Sequence, residues 1–228
     1  MIKSLKSSFS AEPASSLPFF FLMCYNRKKA QGGIFMEIAI RKLTSESLND
    51  WLDYFDNLAF TDNDDWCGCY CMCYHWNSEL QKIKSWNCDR DCAEFNRAQA
   101  IKRILEGTMK GYIAYDREKV VGWCNANDKS AYDNVNFNFP KEVPDHGEKI
   151  KSAVCFSVAP GYRGMSIASR LLEHVCKQAK DEGYEYVEAY PFAHNENHAY
   201  HGPVSMYEKA GFVKAGEIEG CIVFRKKL

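Results

Sequence analysis

VCFSVAPGYRGMSIASRLL, residues 154–172, joins three signals in nineteen residues. Val154–Val158 is a short apolar run of β-branched and aromatic residues, closed by Ala159-Pro160-Gly161. That pattern predicts a buried strand ending in a turn. Tyr162–Ala168 is a tight loop with Arg163, Gly164 and small neighbours. Ile167, Leu171, Leu172, Val175 and Ala179 then fall at helical spacing and predict a helix to about Asp181. A strand, a glycine-containing loop and a helix start together suit a bound phosphate. The first helical turn has unpaired N–H groups and the positive end of the dipole. Small residues let phosphates approach the backbone, and Arg163 adds a forked cation.

The same residues resemble the coenzyme A loop of the GNAT superfamily of N-acetyltransferases. That family's pattern is Arg or Gln, two residues, Gly, one residue, then Gly or Ala, commonly after V-x-P-x-[YF]. Arg163, Gly164, Met165, Ser166, Ile167 and Ala168 fill the six places, with Ser166 where the family usually has Gly. Serine is small and a good cap at a helix start. Downstream, Tyr207-Glu208-Lys209-Ala210-Gly211-Phe212 is similar to the family's closing Y-E-K-x-G-F motif. The resemblance covers about residues 36–228. It implies the GNAT α/β fold, a mixed and mostly antiparallel sheet flanked by helices. It further implies acetyl-coenzyme A as cosubstrate and direct attack by an amine within a ternary complex.

By that resemblance, the backbone around Phe156, Ser157 and Val158 holds the pantetheine arm and polarises the carbonyl, and Arg163–Ala168 holds the pyrophosphate. Tyr207 stands where the family often uses a tyrosine as acid. A phenol keeps its proton at neutral pH and can donate to a departing thiolate; the plainer reading is a packed helix tyrosine. Where the family often has Asn and Ala, seven and four residues before that tyrosine, this chain has Tyr200 and Pro203. Asn195 or Asn197 is the alternative contact for the pantetheine arm. His146, Glu148, His194, His198 and His201 are open as bases, and a water relay needs none of them. Cys155 lies beside the cofactor strand, but direct transfer does not require a nucleophilic thiol.

The chain has 228 residues, 46% of them hydrophobic, enough for a sizeable core. With 29 basic and 30 acidic residues, the net charge of −1 argues against a nucleic-acid or membrane-surface partner. No apolar run reaches the roughly 18 residues of a membrane span. Eleven cysteines, an odd number, without a convincing secretory signal, fit a reducing cytosol. The expected acceptor is a small-molecule or peptide amine.

Residues 1–35 are expected to lie outside the fold. Gln31-Gly32-Gly33-Ile34-Phe35 back-translates to a purine-rich ribosome-binding sequence before the codon of Met36. Met36 is thus expected to be the native start, if the source is bacterial, with 36–228 as one domain. Met36–Lys42 predicts the first strand, and Thr44 or Ser45 caps a helix to about Asn57 with Leu48, Trp51, Leu52 and Phe55 inward. Asp89 caps a second helix to about Gly107, with Phe95, Ala98, Ile101, Ile104 and Leu105 inward. Gly111–Tyr115 and Val120–Asn125 form a hairpin, and Asp128–Lys149 a loop before the central strand. Tyr184–Tyr190 is the next strand. Pro203 starts a helix that Gly211 ends, and Phe212–Glu217 and Cys221–Arg225 are the last strand pair.

Cys67, Cys69, Cys71 and Cys73 alternate between Trp66 and Tyr74. In a strand they would share one face at intervals of about 6.6 Å, too far apart for one tetrahedral zinc. A bent loop, with His75, Cys88 or Cys92, is the metal-binding alternative. The bland reading is a packed loop and strand lining the acceptor side, where Trp66, Tyr70, Tyr74, Trp76, Asp62, Asp64 and Asp65 suit a cationic amine or simply face solvent. Two rivals to the enzyme follow: an acyl-coenzyme A sensor without turnover, and a metal or thiol protein centred on Cys67–Cys73.

Overall fold

Seven strands form one sheet in the order β1-β2-β3-β4-β5-β7-β6. They are β1 (Ile38–Lys42), β2 (Gly111–Asp116), β3 (Lys119–Asp128), β4 (Ile150–Val158), β5 (Tyr186–Ala189), β6 (Val213–Ile218) and β7 (Cys221–Lys227). The structure, a computed structural model, describes residues 36–76, 80, 90–132, 145–194 and 199–228. The expectation for residues 1–35 lies outside them. β4 and β5 run parallel, and the other neighbours are antiparallel. Among the described residues the helices are α1 (Leu48–Asn57), α2 (Arg90–Leu105), α3 (Ile167–Asp181) and α4 (Val204–Lys209). The mixed, mostly antiparallel sheet flanked by helices that the sequence implied is the one observed, and no described helix is long and apolar enough to cross a membrane.

The two sheet faces bury separate cores. One holds Trp51, Phe55, Tyr74, Trp123, Val154 and Cys155 with α1 and α2. The other holds Phe156, Leu171, Val175, Val187, Tyr207 and Phe224 with α3 and α4. The apolar face read for α3 is buried as read, at Ile167, Leu171, Leu172, Val175 and Ala179. Each large aliphatic side chain buried there contributes about 2 kcal/mol. Gly122 on β3 sets how closely α3 approaches. A Cβ there would come within 2.9 Å of Ile167 Cγ2 and 3.3 Å of the Ser157 carbonyl.

Local differences from the sequence reading have simple causes. Thr44 precedes a 3-10 turn, Ser45–Ser47, so α1 begins at Leu48. On α2, Ala100 and Ile104 are buried, whereas Ala98 is exposed and Leu105 is 59% exposed. Positions two apart on a helix face opposite sides, and adjacent ones lie about 100° apart, so the expected set could not all point inward. The alternating cysteines are not a strand. Tyr70 and Cys71 have φ of 42° and 52°, and tight turns lead into a 3-10 turn at Met72–His75. Pro203 is extended (φ −75°, ψ 146°) and sits just before α4 rather than within it.

Candidate cofactor and acetyl-transfer site

β4 and β5 pair only from Ile150 and Tyr186 to Ala153 and Ala189. β4 then continues to Val158, while the chain leaves β5 through Tyr190 and Pro191. Among the described residues, the edge of β4 turned away from β3 has no strand beside it from Val154 onward. On the β3 side, Asn125 pairs with Cys155 and Ala126 with Ala153, so Val154 is a bulge. A bulge re-aims the side chains on either side of it. Val154 and Cys155 accordingly both join the core under α1, while Phe156 faces α3.

The fork between the strands is fixed by a buried phenol. Tyr190 Oη donates to Glu188 Oε1 at 2.6 Å and lies 2.8 Å from Ser152 Oγ. Its single proton goes to Glu188, so Ser152 is the donor to Tyr190. Glu188 has no exposed surface. Its carboxylate also meets Lys129 Nζ at 2.9 Å and Arg225 Nε at 2.5 Å. Asp145 lies 2.6 Å from both cations. Sequence reading missed this network; a glutamate within the apolar run Tyr186-Val187-Glu188-Ala189-Tyr190 was its one visible signal.

At the far end of β4, Ser157 is buried with its hydroxyl 2.9 Å from Tyr54 Oη. The Val158 carbonyl accepts from Arg163 Nε at 3.1 Å. Gly164 has φ +76°, Met165 is exposed, and Ser166 has φ 61° and ψ 18° immediately before α3. The first bond returned to the loop is Arg170 N to the Ser166 carbonyl, 3.0 Å. The N–H groups of Ile167, Ala168 and Ser169 precede it and open the helix end. Ile167 is buried and Ala168 half-buried.

Ser166 is not the cap expected of it, since it makes no side-chain cap bond. Capping needs an extended residue, and this one is left-handed. That backbone explains why glycine suits the place. Ser166→Gly is therefore expected to stabilise the chain by about 1 kcal/mol, read as a raised urea midpoint. A lowered midpoint would show that the hydroxyl carries a bond.

Tyr207 is fully buried, between Phe224, stacked with a ring-centre distance of 5.9 Å, and Phe212 at 5.5 Å. Its hydroxyl donates to the His201 carbonyl, which belongs to the segment that follows β5. Burial pushes this phenol well above its ordinary pKa, so it holds its proton. Of the residues open as bases, His146 and His194 are exposed, Glu148 faces Arg225 at 3.7 Å, and His201 is buried against Phe192 and Tyr200. His198, Asn195 and Asn197 lie outside the described residues.

The core packed against α1 and α2 is aromatic and thiol-rich. Cys71 and Cys155 share a hydrogen bond, which together with burial pushes the Cys71 thiol up; burial does the same to Cys73. Trp123 Nε1 donates to Cys71 Sγ at 3.2 Å. Thiols held protonated are poor nucleophiles and ligands. Among the described residues no three His, Cys, Asp or Glu side chains are grouped to hold a metal ion.

His75 is buried beside them. Asn125 Oδ1 accepts from Tyr132 Oη at 2.8 Å, so its amide N–H₂ faces His75 Nε2 at 3.2 Å and the imidazole proton sits on Nδ1. Burial, with Arg103 adding repulsion, lowers the His75 pKa to about 3. The unfolded chain protonates His75 near pH 6.5 and the folded chain does not, so stability falls as pH drops below 6.5. About 2 kcal/mol is expected to be lost between pH 7 and 5. Urea unfolding at both pH values checks this, with His75→Gln expected to flatten the slope.

Residues 70–212 match the family described as the acetyltransferase (GNAT) family. The PaiA N-acetyltransferase from Thermoplasma acidophilum, solved in complex with coenzyme A, is 18% identical, with 85% of this chain and 100% of that one covered and a TM-score of 0.49. Mosquito arylalkylamine N-acetyltransferase like 5b is 15% identical, with 84% and 100% covered and a TM-score of 0.51. A GNAT-family acetyltransferase from Listeria monocytogenes is 13% identical, with 84% and 95% covered and a TM-score of 0.51. No curated protein matches the chain.

Proposed function

The chain belongs to the acetyltransferase (GNAT) family, and from that premise we propose that it transfers an acetyl group from acetyl-coenzyme A to a primary amine by direct attack in a ternary complex. The observation that carries this reading is the parting of β4 from β5 beyond Ala153, with the open end of α3 beside the strand that parts. A free strand edge offers backbone groups to an amide-bearing arm, and a helix start offers N–H groups and a favourable dipole to a diphosphate.

In this reading the backbone of Phe156, Ser157 and Val158 binds the pantetheine arm and steadies the carbonyl oxygen as charge develops. Arg163, Gly164, Met165, Ser166, Ile167 and Ala168 hold the diphosphate. The neutral amine attacks the thioester carbon, the C–S bond breaks, and Tyr207 gives its proton to the leaving sulfur. The amine's surplus proton passes to water, and water returns the phenol's. Residues 36–228 act as the acetyltransferase domain, working in the cytoplasm on a small-molecule or peptide amine.

Calorimetric titration with acetyl-coenzyme A tests the site. Micromolar binding is expected, weakened about tenfold or more in Arg163→Ala, the loss of one charge-assisted contact. Absence of binding by the parent chain would overturn the reading.

A further inference from the structure

Arg163 has its three side-chain nitrogens engaged within the chain. Nε meets the Val158 carbonyl, while Nη1 and Nη2 grip the Asp62 carboxylate at 2.5 and 3.1 Å. Asp62 comes from the segment after α1, on the opposite sheet face from α3, and lies 101 residues away in sequence. Both side chains are 44% exposed, so the pair is open to exchange rather than sealed. The same segment reaches the other arm of the fork. Trp66 meets the ring of Tyr200 edge-on at 5.5 Å, in the stretch that follows β5, and Phe60 backs Trp66 at 6.2 Å. Residues 60–66 thus strap the continuation of β4 to that of β5.

We propose that Asp62 is an internal competitor for the cofactor's diphosphate: it occupies the guanidinium of Arg163 until coenzyme A displaces it and frees the strap. This rests on the coenzyme-binding reading given above. The carboxylate and a diphosphate need the same two terminal nitrogens, and two anions cannot share one fork without repulsion. While the pair stands, Asp62 also cancels the positive potential that would draw the coenzyme to the end of α3. Asp62 is a positioning residue, acting through Arg163.

The decisive quantity is the coenzyme A dissociation constant of Asp62→Asn, Asp62→Ala, Asp62→Glu and Arg163→Ala chains, and of Arg163→Ala combined with Asp62→Ala. Asp62→Asn and Asp62→Ala are expected to bind about fivefold tighter than the parent, the release of an exposed bidentate pair. Asp62→Glu should restore the parent's affinity. In the Arg163→Ala background, Asp62→Ala should change nothing. A purely structural role for Asp62 predicts weaker binding on its removal. Unchanged or weaker binding by both neutral variants overturns the proposal, as does a gain that persists without Arg163. Absence of coenzyme A binding by every chain, the parent included, overturns the coenzyme reading and this inference with it.

Discussion

Replacing Tyr207 with phenylalanine is expected to lower turnover about a hundredfold, the usual scale for losing one general acid, with coenzyme A affinity within about twofold of the parent. The ring is held by packing between Phe212 and Phe224, contacts that phenylalanine keeps. The hydroxyl's partner in the described chain is a backbone carbonyl, that of His201, reached across the segment after β5. Its loss should cost about 1 kcal/mol of stability, the net worth of one buried hydrogen bond. The two readouts separate the roles. A structural tyrosine would lower the urea midpoint and leave turnover intact, whereas an acid lowers turnover in a chain that still folds and still binds. With a leaving group more acidic than a simple thiol, the deficit should shrink, because the departing atom then needs less protonation. Turnover equal to the parent's would remove Tyr207 from the chemistry.

Glu188→Ala carries the largest expected stability change, about 3–5 kcal/mol, as when one member of a buried charge cluster is removed. Glu188 on β5 faces Ser152 on β4 and Arg225 on β7 across the sheet, and Lys129 closes the cluster from above. Without the carboxylate, two part-buried cations keep Asp145 and Glu148, both partly exposed, as counter-charges among the described residues. Tyr190 also loses its acceptor, and with it the bond pattern that holds the fork at Ser152. Glu188→Gln, which keeps the shape, should lose less than the alanine variant. Urea unfolding of the three chains decides it, and an alanine variant within about 1 kcal/mol of the parent would show the cluster to be dispensable.

The glycine-like loop, the helix after it and the strand before it were legible because each depends on neighbours within a turn or two. Periodicity found the buried stripe of α3, and turn chemistry found the hairpin of β2 and β3 and the end of β4. Where local rules failed, the failure was also local in kind. Ser166 has the composition of a cap but a left-handed backbone, and the alternating cysteines have a strand's pattern but sit on turns with positive φ. The sequence pattern cannot report a backbone angle that the surrounding packing imposes.

Element types, their order and the family were determined by the sequence by itself, since these are written in spacing and in side-chain chemistry along the chain. The fork, the bulge at Val154, the partners of Glu188 and the grip of Asp62 on Arg163 were decided only by the tertiary structure. Each of those joins segments tens of residues apart, and which segments meet follows from strand order and register. Those in turn are set by burying two apolar sheet faces at once, a condition on the whole chain that no single stretch contains.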